Sequence, residues 1–102
     1  MGMGNLARMA QQMQAEMARV QAELEATTIE GSAGGGAVRA TVTGKQDLVS
    51  VTIDPEVLDG GDVELVQDLV VAAVNDALRA ARALAEQKVA SITGGLRLPG
   101  LG

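Results

Sequence analysis

The groups of this chain that could do chemistry are few in kind: thirteen carboxylates and eight bases among 102 residues, with no cysteine, no histidine and no aromatic ring. That composition removes disulfides, thiolate nucleophiles, zinc held by Cys and His, and the side chain that most often moves protons near neutral pH. Three carboxylates, Asp54, Asp59 and Asp62, gather in sequence and could ligate a hard cation or share acid and base roles. Their spacing lacks the closing glutamate of a calcium loop. The stretch reads instead as a turn and an acidic helix start, with Asp62 as the cap and Glu64 and Asp68 near the positive end of the helix dipole. No catalytic residue, metal site, cofactor or small-molecule substrate is expected, and the chain is not read as an enzyme.

The bases could neutralise phosphates. The formal net charge of -5 argues against an acidic partner, but the charges are unevenly spread. Residues 54 to 70 hold six carboxylates and no base, whereas residues 71 to 102 hold Arg79, Arg82, Lys88 and Arg97 against Asp76 and Glu86. Positive potential therefore collects towards the ends of the chain. Without rings on which an unpaired base could stack, duplex rather than single-stranded nucleic acid is the favoured acidic partner. Plainer readings stand beside these: Arg19 pairing Glu16 or Glu23, and Arg79 pairing Asp76, at helical spacing.

The stretch "EGSAGGGAVRA" (30 to 40) raises the question of a phosphate-wrapping loop. Such a loop needs a helix N-terminus after it, because free backbone N–H groups and the helix dipole do the holding. Here an alternating strand follows, with no Gly-Lys-Ser/Thr and no G-x-G-x-x-G opening a helix. The glycines read as a strand-linking loop.

The elements that position these groups follow from hydrophobic period. Met3, Leu6, Ala10, Met13, Met17, Val20 and Leu24 step by three and four, a seam along one side of a helix over residues 1–25. At 1.5 Å per residue that helix spans roughly 33 Å, too long for so small a body to cover, so part of it projects. The methionines suit a helix–helix contact or an adaptable groove. A membrane-facing stripe would want more basic residues and an aromatic anchor.

Val38, Ala40 and Val42 alternate with polar residues, as do Val49, Val51 and Ile53 after "GKQD", and "TTIE" (27 to 30) makes a third strand. Residues 26–54 thus form an antiparallel meander that Asp54-Pro55 ends. Val66, Val70, Val74, Ala77, Ala81 and Leu84 mark a long helix over 62–93, continuous or broken, stopped by Gly94-Gly95. Residues 94–102 read as an extended tail. Within it, "GGLRLPG" places Arg97 among leucines, a composition like that of tips inserted into a minor groove, or one whose leucines pack back onto the body.

The class is α+β, in the order α-β-β-β-α, as a single domain. A core this thin favours a second copy. No run is long enough to cross a bilayer and "MGMGNLARMAQQ" lacks a secretory layout, so a cytoplasmic location is expected.

In this order, "LARMAQQMQAEMARVQAEL", "EGSAGGGAV", "VSVTIDPEVL", "DLVVAAVNDAL" and "KVASITGGLRLPG" together resemble the YbaB/EbfC family of bacterial nucleoid-associated proteins, nearly end to end. The resemblance implies a homodimer shaped like tweezers that binds double-stranded DNA on the nucleoid, organises the chromosome and affects gene regulation. It implies contact through the first helix and the C-terminal helical region, which hold Arg8 and Arg19, and Arg79, Arg82, Lys88 and Arg97. The alternative function is a helical module that clamps a partner protein along the Met3 to Leu24 seam and binds DNA weakly or not at all.

Overall fold

The computed structural model describes residues 2–94, with the side chains of 3–92. Its elements are α1 (Gly2–Ala26), β1 (Thr28–Ala33), β2 (Val38–Thr43), β3 (Leu48–Ile53), a short α2 (Pro55–Asp59) and α3 (Val63–Gly94). This is the expected α+β order with one addition, α2. That turn of helix forms because Asp54 accepts the Glu56 N–H at 3.0 Å, while Pro55 takes a first-turn position where its missing N–H is not needed. Asp62 does the same for α3, accepting the Leu65 N–H at 3.0 Å. From there α3 runs unbroken for 32 residues.

The strands form an antiparallel sheet in the order β1-β2-β3. Val38, Ala40 and Val42 of the middle strand are fully buried with Ala73, Ala77 and Ala81, the stripe along which α3 lies on the sheet. Along this stripe α3 presents only alanine methyls, so helix and sheet come very close. At Gly31 of β1 they meet backbone to backbone: an added Cβ would overlap the Ala77 nitrogen and lie 2.6 Å from the Ala73 oxygen. A second close approach fixes α1. At Gly44, in the turn between β2 and β3, an added Cβ would lie 2.6 Å from the Leu24 oxygen. Beside it Gly44 N–H donates to the Thr27 carbonyl at 2.9 Å, and the Thr27 hydroxyl donates to the Glu23 carbonyl at 2.6 Å. Val20 and Leu24 are buried here, and the rest of α1 projects.

The two edges of the sheet differ. The Ser32 N–H of β1 donates to Asp76 Oδ2 at 3.0 Å, so α3 closes over that edge. At about 100° per residue, Val71, Val74 and Leu78 lie on the opposite flank of the helix from Asp76, towards β3. α3 barely reaches β3 itself. Alternation alone aligns Val49 with Val51 and Ile53, but Thr41 pairs with Ser50 and Val42 with Leu48, so Val49 is the extra residue of a bulge. Leu48, Val49 and Val51 are all exposed, Val49 at 58%. Gly34, Gly35 and Gly36, with φ of 64°, 68° and 93°, make the turn from β1 to β2; β2 follows them, and no helix opens there.

The molecule measures 71 × 28 × 15 Å. Its radius of gyration, 19.8 Å, exceeds the roughly 13 Å of a compact chain of this length, because the helices extend past the sheet.

Gly31→Ala should force α3 off β1 and cost about 2–3 kcal/mol, at the upper end for overpacking. The urea or thermal midpoint of unfolding measures this. Gly4→Ala, where an added Cβ meets nothing within 4 Å, should leave stability unchanged or raise it by up to about 1 kcal/mol.

Candidate nucleic-acid interface

Past the sheet, α1 and α3 run side by side in opposite chain directions and form an arm. Glu23 of α1 meets Lys88 of α3, and further out Glu16 and Val20 share a cleft of about 330 Å³ with Ser91 and Ile92. From Lys88 to Gly94 α3 continues for about 9 Å, whereas from Glu23 back to Met3 α1 continues for about 30 Å. The outermost part of the arm is therefore α1 without α3 beside it.

On the arm, Arg19 donates to Glu16 Oε2 at 2.5 Å and to Glu23 Oε1 at 2.7 Å. Lys88 Nζ lies 3.2 Å from the other Glu23 oxygen. One carboxylate thus engages two cations, and its contact with Lys88 ties α1 to α3. The hydrogen bond from Lys88 holds the Glu23 carboxyl below its usual range; partial desolvation opposes this, and the charges of Lys88 and Arg19 add to the lowering. The Arg19 guanidinium is correspondingly held more firmly protonated, first by its hydrogen bond to Glu16.

Arg79 and Arg82 lie on the side of α3 away from the alanine stripe. Arg79 approaches Asp76 at 3.9 Å, a loose pair, since Asp76 also serves Ser32. Arg82 and Arg8 are exposed and have no carboxylate partner among the described residues. Arg97 lies outside the described residues, as does the leucine-flanked tip read around it.

Arg8 and Arg19 fall on one flank of α1, about 16 Å apart along its axis. That separation spans roughly five phosphates of one DNA strand at 3.4 Å each.

Two cations were not singled out by sequence. Arg39 stands on the polar face of the sheet, in register between Ser32 and Thr52, without an ion pair among the described residues. Its signal was the polar slot between Val38 and Ala40. Lys45, in the turn after β2, donates to the side-chain oxygen of Gln21 on α1. Nothing local in the sequence joins those two.

Charge is segregated along α3. Residues 54 to 76, covering α2 and the first half of α3, carry seven carboxylates and no base. Residues 77 to 92 carry Arg79, Arg82 and Lys88 against Glu86. Among the described residues no cluster of metal-ligating side chains and no buried charged group occurs.

Comparison with known proteins bears on what such an arm is for. The model of the YbaB/EbfC DNA-binding family matches residues 1–96. The chain belongs to this family. A nucleoid-associated protein of Moorella thermoacetica is 50% identical over 98% of this chain and 99% of its own length. Another nucleoid-associated protein, from Acetivibrio thermocellus, is 53% identical over 95% of this chain and 87% of its own. The crystal structure of the uncharacterized protein HP0035 from Helicobacter pylori, 24% identical, has a similar fold, with a TM-score of 0.79 over 92% of this chain and 99% of that one.

The Glu23 contacts make this YbaB/EbfC arm acid-sensitive. Because Glu23 titrates lower in the folded than in the unfolded chain, its contribution is complete above the ordinary glutamate range and is lost as pH falls through the depressed folded value. Glu23→Gln should be less stable than the parent at neutral pH, with the difference shrinking in acid. Urea midpoints measured from neutral pH down to below the glutamate range check the sign.

Proposed function

We propose that two copies of this chain pair and grip duplex DNA with their arms, the cations of α1 and of the distal half of α3 neutralising backbone phosphates. The observation that carries this reading is the charge segregation along α2 and α3: seven of the thirteen carboxylates and no base fall in residues 54 to 76, whereas residues 77 to 92 carry three bases against one carboxylate. Membership in a DNA-binding family supports the same partner. So do the names of the Moorella and Acetivibrio relatives, both nucleoid-associated proteins. Backbone contact fits the side chains available: guanidinium and ammonium groups read phosphate, and the arm offers no ring to stack on bases. Binding of this kind organises the chromosome and affects gene expression through DNA shape, without catalysis. The nucleoid is the corresponding location; among the described residues no helix is long and apolar enough to cross a membrane.

Pairing of two copies is supported by the open side of the sheet. The β1 edge is closed by Asp76, whereas β3 presents unpaired backbone groups beside exposed Leu48, Val49 and Val51, with Val71 on the adjoining flank of α3. A twofold contact there would cover these residues and leave both arms free. It would also bring the acidic ends of α3 towards the centre of the dimer.

Of the six basic positions expected to touch DNA, Arg8 and Arg82 carry free charge in this structure, while Arg19 and Lys88 are engaged by Glu23. Titration of a short duplex at two salt concentrations should show binding that weakens as salt rises. Arg8→Glu and Arg82→Glu should each reduce affinity and lower the slope of log K against log salt by about one for every phosphate no longer neutralised. Glu23→Gln, which releases Lys88 and leaves Arg19 paired with Glu16 alone, should raise affinity. Absence of binding even in dilute buffer would sink the DNA reading and leave the helical protein clamp. Separately, Val51→Lys should convert a sedimenting dimer to monomer at micromolar concentration; an unchanged sedimentation coefficient would move the interface elsewhere.

A further inference from the structure

Outward of Glu16, α1 carries almost no charge. Arg8 is the only charged side chain of residues 1–15, and the other polar side chains there are amides: Asn5, Gln11, Gln12 and Gln14. Lysine and glutamate would keep such a face soluble and pair at helical spacing, so solvation alone does not select amides. Nor does the helix, since asparagine is a poor helix former and Asn5 stands inside α1 rather than at its cap. On a helix of 3.6 residues per turn, Asn5 and Gln12 fall within about 20° of each other, two turns apart, with Arg8 about 50° to one side. All three are exposed. Among the described residues no side-chain hydrogen bond or ion pair engages any of them. The apolar band of α1 lies about 120° further round. There Ala10, Met13 and Met17 line a cavity with Val89 of α3, so this contact leaves the two amides uncovered.

We infer that the outer half of α1 lies in the major groove of duplex DNA, where Asn5 and Gln12 each read the edge of an adenine while Arg8 and Arg19 hold phosphates of the groove wall. This rests on the duplex-DNA binding proposed above and adds a readout of sequence to it. A carboxamide presents a donor and an acceptor side by side, the complement of the adenine N7 acceptor and N6 donor, which the major groove exposes. Size fits: a helix with its side chains is about 10–12 Å across, and the groove about 12 Å wide. From Asn5 to Gln12 the helix advances about 10 Å, or about three base-pair steps of 3.4 Å. Charge fits as well, because a stretch without carboxylates approaches the phosphates of both groove walls unopposed. Arginines on phosphate bind every sequence alike, whereas the amides are satisfied only by particular base pairs.

Selection of duplexes from a random library by the full chain, followed by sequencing, reads this directly. The expected pattern is a pair of adenines about three steps apart, preferred about tenfold or more over a scrambled duplex of the same composition in competition at fixed salt. Asn5→Ala and Gln12→Ala should each cut that preference about fivefold. Affinity for the scrambled duplex and the slope of log K against log salt should stay as they are, since an amide neutralises no phosphate. Alanine is the better helix former, so the arm keeps its helix, and far-UV circular dichroism checks this. Replacing the two adenines by 7-deazaadenine, which lacks N7, should lower the preference of the parent chain about as far as the alanine variants do. Salt-sensitive binding without any enriched pattern overturns the base readout and leaves the phosphate grip standing. A pattern that survives in the Asn5→Ala/Gln12→Ala double variant overturns it too, by placing the readout elsewhere on the chain. So does a preference that 7-deazaadenine leaves intact, which would assign it to the minor groove or to DNA shape. No binding at all in dilute buffer overturns this inference and the DNA reading together.

Discussion

The closeness of α3 to β1 is the constraint on which the rest of the molecule depends. Where Gly31 passes Ala73 and Ala77 there is no room for a Cβ, and the helix axis is held against the strand by backbone contact. Burial of a large side chain would be worth more per residue. A stripe of alanines instead gains the short separation, fixing the direction of a 32-residue helix over a narrow strip of surface. Gly44 plays the corresponding part for α1, letting the hairpin turn sit on the Leu24 carbonyl. Two close approaches thus anchor two long helices on one small sheet, and both helices leave it on the same side.

That economy leaves the core thin. Among the described residues, the buried hydrophobic core of sheet and α3 is three residues of β2 and three alanines. Leucines and valines that a larger domain would cover remain on β3 and on the outer arm. The uncovered surface is not randomly placed: one part lies along the open sheet edge and the other on the outer half of α1.

The arm balances rigidity against charge. Glu23 accepts from Lys88 and Arg19 at once, so the contact that holds α1 to α3 also withdraws two cations from the surface. At the start of α3, Glu64 lies in the first turn, where the helix dipole favours an anion. The acidic start of α3 therefore stabilises the helix itself, while residues 77 to 92 carry three bases against one carboxylate.

Much of the fold was legible from residue types and spacing, because the forces that make it are local. The α1 seam, the alternation in β2, the cap at Asp62 and the glycine turn between β1 and β2 are all encoded within a few residues of where they act. α2 was missed since its cap and proline also read as a plain strand ending, and the bulge at Val49 was missed since alternation does not count pairing partners. At the interface, the Arg19 pairs with Glu16 and Glu23 were visible at helical spacing. The pairing of Lys88 with Glu23, 65 positions apart, and of Lys45 with Gln21 was not. By itself the sequence determined which segments are helix or strand and which stretches carry each sign of charge, through periodicity and composition. Only the tertiary structure decided which cations stay free, which sheet edge stays open and how far α1 outruns α3. Those depend on the packing of distant segments at backbone contact, and no local pattern records it.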